Sequence, residues 1–145
     1  MNIIEVNQSN LKDFTELSVM LFPEETFEKE YEMYKESFKT EKEFGFLYQK
    51  DNKYTAMLHL SIRYDYVNGT STSPVAYLEA IYVLPEYRKQ GIGKELVTFA
   101  EEYARQKGIT QLASDCLTDN YESENFHKNC GFTEEERIIC FVKDI

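Results

Sequence analysis

The chain has 145 residues, with 26 acidic against 16 basic side chains for a formal net charge of −10 at pH 7, and 42% of its residues are hydrophobic. That length suits one domain spanning 1–145 with a substantial core, and the charge disfavours nucleic acid and anionic lipid as partners while favouring a basic one. No apolar run approaches a membrane span, the start lacks the basic and apolar segments of a signal peptide, and Cys116, Cys130 and Cys140 are odd in number with no Cys-x-x-Cys pair, so a cytoplasmic location, reduced thiols and no metal site are expected.

Taken in order, Ile3, Ile4 and Val6 predict a short strand, after which Ser9 or Asn10 caps a helix carrying Leu11, Phe14, Leu17 and Leu21 at helical spacing. Phe22-Pro23 stops that helix. A second opens with Glu24 and Glu25, where carboxylates suit the positive end of the dipole, and buries Phe27, Tyr31, Tyr34 and Phe38. Between Glu24 and Glu43 stand eight Glu against four Lys, which read as a solvated face or as a wall for a polycation. Phe44–Gln49 and Tyr54–Arg63 predict a hairpin around Asp51-Asn52. Tyr64 to Pro74 is a turn-rich insertion reversing at Asn68-Gly69, with Tyr66 embedded in it, and loops of this kind are often functional.

Val75 to Leu84 is the most apolar strand. Alternation sets Tyr77, Glu79, Ile81 and Val83 on one face, and a carboxylate in that setting is costly unless it meets water, a partner or a ligand. Pro85 cannot donate to a ladder and ends the strand. Beyond it, Gly91 and Gly93 let the main chain approach a ligand, and the next helix presents free N–H groups and the positive end of its dipole. Arg88, Lys89 and Lys94 add full charges, so the turn reads as a diphosphate cradle. A Walker loop is excluded because Gly93-Lys94 is followed by Glu95, and a dinucleotide fingerprint would need a third glycine at Leu96. The helix buries Ile92, Leu96, Phe99, Ala100 and Tyr103 and ends at Gly108. Ile109 to Asp115 predicts a strand with Asp115 at its end, where ligands gather in open sheets. Asn120 opens a helix through Phe126 and His127 to Gly131, and Phe132 to Asp144 predicts one or two closing strands. The order β-α-α-β-β-β-α-β-α-β is mixed α/β, a twisted sheet with helices on both faces.

The string Val83-x-Pro85-x-x-Arg88-x-x-Gly91-x-Gly93 resembles the acetyl-CoA signature of the GNAT family of N-acetyltransferases. The resemblance implies a GNAT fold with about six to seven strands, and acetyl-CoA as co-substrate without a metal. It places the diphosphate on Arg88, Lys89, Gln90, Gly91, Ile92, Gly93 and Lys94. The pantetheine arm is expected along Ile81, Tyr82 and Val83 of a splayed strand, a backbone amide near Val83 polarises the thioester carbonyl, and Asn120 also contacts the cofactor. Acyl transfer to an amine further needs a route for the ammonium proton and an acid for the thiolate. Glu79 and Asp115 are the carboxylates near strand ends, and each either takes that proton or only positions substrate. The family commonly has Tyr four residues before a Gly-Phe pair; here His127 precedes Gly131-Phe132, as a candidate acid or a structural residue.

Arg63 to Pro74, Tyr77 to Arg88, Ala113 to Asp115 and His127 to Arg137 together resemble the chromosomal type of aminoglycoside 6'-N-acetyltransferase. By position, this implies that Phe22, Tyr66, Glu79, Asp115 and Glu136 contact an aminoglycoside, that the 6'-amino group is acetylated with resistance as the outcome, and that the chain forms a homodimer. The relatives often have Trp where Phe22 stands and Tyr where Phe141 stands. The alternatives are a GNAT enzyme acting on a polyamine or protein amine, and a non-catalytic acetyl-CoA-binding module.

Overall fold

Apolar residues at period two and period 3.6 fold, in a computed structural model describing residues 2–145, into one sheet with helices on both faces. The elements are β1 (Ile3–Glu5), α1 (Leu11–Leu21), α2 (Phe27–Ser37), β2 (Glu43–Lys50), β3 (Lys53–Arg63), β4 (Val75–Val83), a single 3-10 turn (Pro85–Tyr87), α3 (Ile92–Gln106), β5 (Leu112–Ser114) and α4 (Tyr121–Asn129). The strands lie in sequence order, antiparallel from β1 to β4, with β5 parallel to β4. Among the described residues the sheet has five strands rather than six to seven. The difference lies after Phe132, where the predicted closing strands are a tail without regular structure and with no backbone–backbone hydrogen bond to any described residue.

Asp51 and Asn52 both take positive φ, 54° and 60°, the conformation that lets a two-residue turn follow the twist of the β2–β3 hairpin. On one face of the sheet, Phe46, Ala56, Leu58, Leu60 and Leu78 pack against Ile92, Leu96, Val97 and Ala100 of α3, with Phe126 of α4 at the margin. On the other, Leu47, Met57 and Ala80 pack against Leu11, Phe14 and Leu17 of α1 and Tyr34 of α2. Helix α2 starts at Phe27 rather than at Glu24: Thr26 is its N-cap, accepting from the Lys29 amide, and Glu24 and Glu25 remain in the connection. The α1 cap is Asn10, whose side chain instead accepts from the Asn7 amide and donates to the Glu5 carbonyl.

Strand β4 does not alternate throughout. His59 pairs with Ala80 and Leu60 with Leu78, so Glu79 is an extra residue, a bulge. Leu78 packs on the α3 side together with Ile81 and Val83, whereas Ala80 and Tyr82 pack on the α1 side. Tyr77 and Glu79 therefore do not share a face with Ile81 and Val83 as simple alternation predicts.

His59 is 8% exposed, stands edge-on to Phe14, Tyr34 and Phe38, and contacts Glu43 Oε1 at 3.0 Å through Nε2. The hydrogen bond from His59 holds the Glu43 carboxyl below its ordinary value of 4.5, outweighing partial burial. A carboxyl lowered in the folded state stabilises the fold fully above its unfolded pKa and loses that contribution as pH falls through the folded value. Acid unfolding of Glu43→Gln followed by circular dichroism should accordingly begin no lower in pH than that of the parent, with a shallower loss of stability below about pH 4.5.

Candidate active site

Parallel pairing of β4 with β5 lasts for three residues, Ala76 to Leu112, Tyr77 to Ala113 and Leu78 to Ser114. Strand β4 then continues through Val83 while β5 ends at Ser114. Glu79 to Val83 thus border a gap about 16 Å long at the usual strand rise, and β5 offers no ladder partner to their backbone groups there, the Val83 carbonyl accepting from the Arg88 side chain instead. Ile81, Tyr82 and Val83 lie along this stretch of β4.

The gap leads to the turn before α3. Lys89 takes φ 60° and Gly91 φ 84°, the second as N-cap of α3. A Cβ on Gly91 would meet nothing within 4 Å, so its absence serves the left-handed backbone and leaves the space above the turn open. The amides of Ile92, Gly93 and Lys94 begin the helix without intrahelical acceptors, an arrangement that suits a diphosphate. Gly93 has a second role: a Cβ there would lie 2.8 Å from the Phe126 ring, so this glycine lets α4 close against α3. The side chain of Arg88 is turned back, donating from Nε to the Val83 carbonyl at 2.9 Å, and Gln90 accepts from Lys50 at 2.7 Å, which brings another cation to the turn. Asn120 caps α4 by accepting from the Ser123 amide.

At the other end of the gap the carboxylates are held by neighbours. Glu79 Oε1 accepts from Ser61 Oγ at 2.5 Å, from Arg63 Nη2 at 2.7 Å and from Arg63 Nε at 3.1 Å. Three donors converge on one oxygen and leave Oε2 for other company. The Arg63 guanidinium also lies 3.5 Å over the Tyr77 ring, and the Tyr77 hydroxyl donates to Asp115. Burial first, and then that bond to Asp115, pushes the Tyr77 phenol well above its ordinary pKa of 10, so it stays a donor. Ser61, Arg63, Tyr77, Glu79 and Asp115 form one connected polar group across β3, β4 and the end of β5. Ser61, Arg63 and Tyr77 escaped the sequence reading; the signal available for the first two was their period-two spacing with Met57 and His59, which puts Ser61 and Arg63 on one face of β3.

A cleft of about 700 Å³ is lined by Arg63, Tyr66, Tyr77, Asp115, His127 and Glu136 among others. Tyr66 is 77% exposed on the insertion, which Gln111 pins by accepting from the Ser71 and Thr72 amides at 2.8 and 3.0 Å. Glu136 lies on the tail, which Arg137 ties to Glu134 and Glu124. The structure therefore brings Tyr66, Asp115, His127 and Glu136 to one cleft. Phe22 lies apart from those walls, half-buried against the cluster of Leu11, Phe14, Leu17 and Tyr34. His127 reaches Ser114 Oγ with Nε2 and the Ser123 carbonyl with Nδ1, each at 2.7 Å.

No group of three or more His, Cys, Asp or Glu is arranged to hold a metal among the described residues, and no helix is long and apolar enough to cross a membrane. The Acetyltransferase (GNAT) family matches residues 11–132. The chain is 42% identical over 145 residues, all of it and 99% of the other protein, to an aminoglycoside N(6')-acetyltransferase type 1 of Acinetobacter baumannii. It is similar to the crystal structure of the aminoglycoside antibiotic 6'-N-acetyltransferase AAC(6')-Ih from Acinetobacter baumannii (TM-score 0.91, 42% identity, covering 99% of this chain and 98% of that one). It is also similar to AAC(6')-Iy in complex with the bisubstrate analog CoA-S-monomethyl-acetylneamine (TM-score 0.94, 31% identity, covering 99% and 97%). With the splayed strands, the glycine turn and these full-length matches together, the chain belongs to the GNAT acetyltransferase family and, within it, to the aminoglycoside N(6')-acetyltransferases.

Proposed function

We propose that this chain, working as one domain in the cytoplasm, transfers the acetyl group of acetyl-CoA to the 6'-amino group of an aminoglycoside and so confers resistance. The observation that carries the reading is the gap between β4 and β5, with a phosphate-accepting turn at one end and the Glu79–Asp115 group at the other. The solved relative bound to a CoA–acetylneamine analogue supports it.

Acetyl-CoA supplies an acyl group activated as a thioester. The free amides at the start of α3, with Arg88, Lys89 and Lys94 around them, hold its diphosphate, and the unpaired side of Ile81 to Val83 takes the pantetheine arm. Asp115, Glu136 and the free oxygen of Glu79 face a substrate with several ammonium groups, each ion pair contributing about 1 kcal/mol in a partly exposed cleft. Tyr66 closes over the sugar from the insertion, and Phe22 contacts it from the α1 end. An ammonium is no nucleophile, and Asp115 or Glu79, directly or through a water, takes its proton before attack. Arg63, paired with Glu79, keeps the cleft from being uniformly acidic and fixes which carboxylate oxygen meets the substrate.

The same reading includes a homodimer. Beyond Arg137 the tail exposes Ile138, Ile139, Phe141, Val142 and Ile145, from 58% for Ile138 to 117% for Ile145. Its backbone groups have no partner among the described residues, and β5 ends the sheet with an open edge. A second copy offers the same tail and the same edge, so a two-fold pairing satisfies both at once, and each buried apolar side chain adds about 1.5 to 3 kcal/mol.

Thiol release with kanamycin should fall at least about a hundredfold in kcat/KM for Asp115→Asn, while the calorimetric Kd for CoA stays within about twofold; equal loss of both would place Asp115 in the fold rather than in the chemistry. Spermidine and a lysine peptide run alongside should be poor acceptors. In light scattering, the chain should show twice its 17.1 kDa mass, and removal of residues 138–145 should return it to the monomer mass. A full-length monomer at micromolar concentration would contradict the pairing.

A further inference from the structure

The pair Ser114–His127 sits where β4 and β5 part. Ser114 is the last residue of β5 to face β4, and both side chains line the cleft. The Ser123 carbonyl can only accept, so its 2.7 Å contact places a proton on Nδ1 of His127. The other nitrogen, Nε2, lies 2.7 Å from Ser114 Oγ, which in turn lies 3.3 Å from the Leu78 carbonyl. Two protonation states fit these same heavy atoms. With a neutral ring, the Ser114 hydroxyl donates to Nε2. With an imidazolium, Nε2–H donates to Ser114 Oγ and the Ser114 hydroxyl turns to the Leu78 carbonyl. One proton enters or leaves without any heavy atom moving, and the rings of Phe126 and Phe132 stand edge-to-face with the half-buried imidazole at centroid distances of 5.9 and 5.1 Å.

The geometry points to Ser114 and His127 as a two-residue proton relay that protonates the departing thiolate, with Ser114 as the group that touches sulfur and His127 behind it. This rests on the reading that the acyl donor lies between β4 and β5. In the step, the amine nitrogen bonds to the acetyl carbon and the C–S bond breaks, its electron pair going to sulfur. Ser114 Oγ–H gives its proton to sulfur and takes one from His127 Nε2. The ammonium proton has gone to Asp115 or Glu79, and the neutral imidazole regains a proton from solvent.

The test reads the imidazole directly. The chain has only two histidines, so the 15N signals of His127 are assigned with a His59→Gln variant. Binding of CoA should shift the His127 Nε2 signal, whereas desulfo-CoA, which keeps the diphosphate and lacks the sulfur, should leave it in place, and in Ser114→Ala the difference between the two should vanish. In turnover, Ser114→Ala should lower kcat with acetyl-CoA about tenfold at an unchanged Kd for CoA, Ser114→Thr should retain activity, and an aryl thioester with a more acidic thiol should reduce the loss to within about twofold. Equal shifts with both ligands, or an undiminished loss with the aryl thioester, overturns the relay while leaving the acetyltransferase reading intact. Failure of both ligands to bind overturns the reading itself and the relay with it.

Discussion

The structure depends on the parting of β4 from β5 after the Leu78–Ser114 pair. A strand that continues beyond its neighbour leaves backbone donors and acceptors unpaired, a cost that a folded protein accepts only where water, a ligand or another chain supplies the missing partners. The rest of the architecture holds that gap open. Helix α3 is pressed on the sheet through Leu96 and Ala100, and Phe126 packs α4 against Gly93 at its start. The same parting fixes the direction of the chemistry, with phosphate-accepting amides beyond the end of β4 and carboxylates near the closed end.

The closed end is built from shared hydrogen bonds rather than from free acids. Arg63 divides its guanidinium between Glu79 and the face of Tyr77, and Tyr77 passes its hydroxyl to Asp115. Groups connected in this way are positioned before substrate arrives, so less reorganisation is required when an amine loses its proton. The bulge at Glu79 makes this possible: it keeps Tyr77 and Glu79 on the face that carries Ser61 and Arg63, and turns Ile81 and Val83 to the α3 side.

Much of this was legible in the residues. The hairpin at Asp51-Asn52, the core stripes of α1 and α3, and the glycine turn all follow from local rules, because each depends on a few consecutive positions. The bulge was not legible, since alternation read along Val75 to Val83 has no means of showing that β3 offers one residue fewer opposite Glu79. Arg63 and Tyr77 were missed for a related reason: an arginine at a strand end and a tyrosine in an apolar strand each have an ordinary local reading, and only cross-strand register brings them to Glu79 and Asp115. The tail shows another limit, for Ile138 to Ile145 has the composition of a strand, and composition does not say which edge it pairs with. Gly93 was read as clearance for a ligand, and its closest neighbour is the ring of Phe126.

The central claim is that the acyl donor occupies the gap between β4 and β5 with its phosphates on the amides that begin α3. A crystal structure of the chain with coenzyme A tests it most directly. The account predicts diphosphate oxygens within hydrogen-bonding distance of the Ile92, Gly93 or Lys94 amides and a pantetheine arm alongside Ile81 to Val83. Coenzyme A bound elsewhere, with that gap filled by the chain itself, would contradict it.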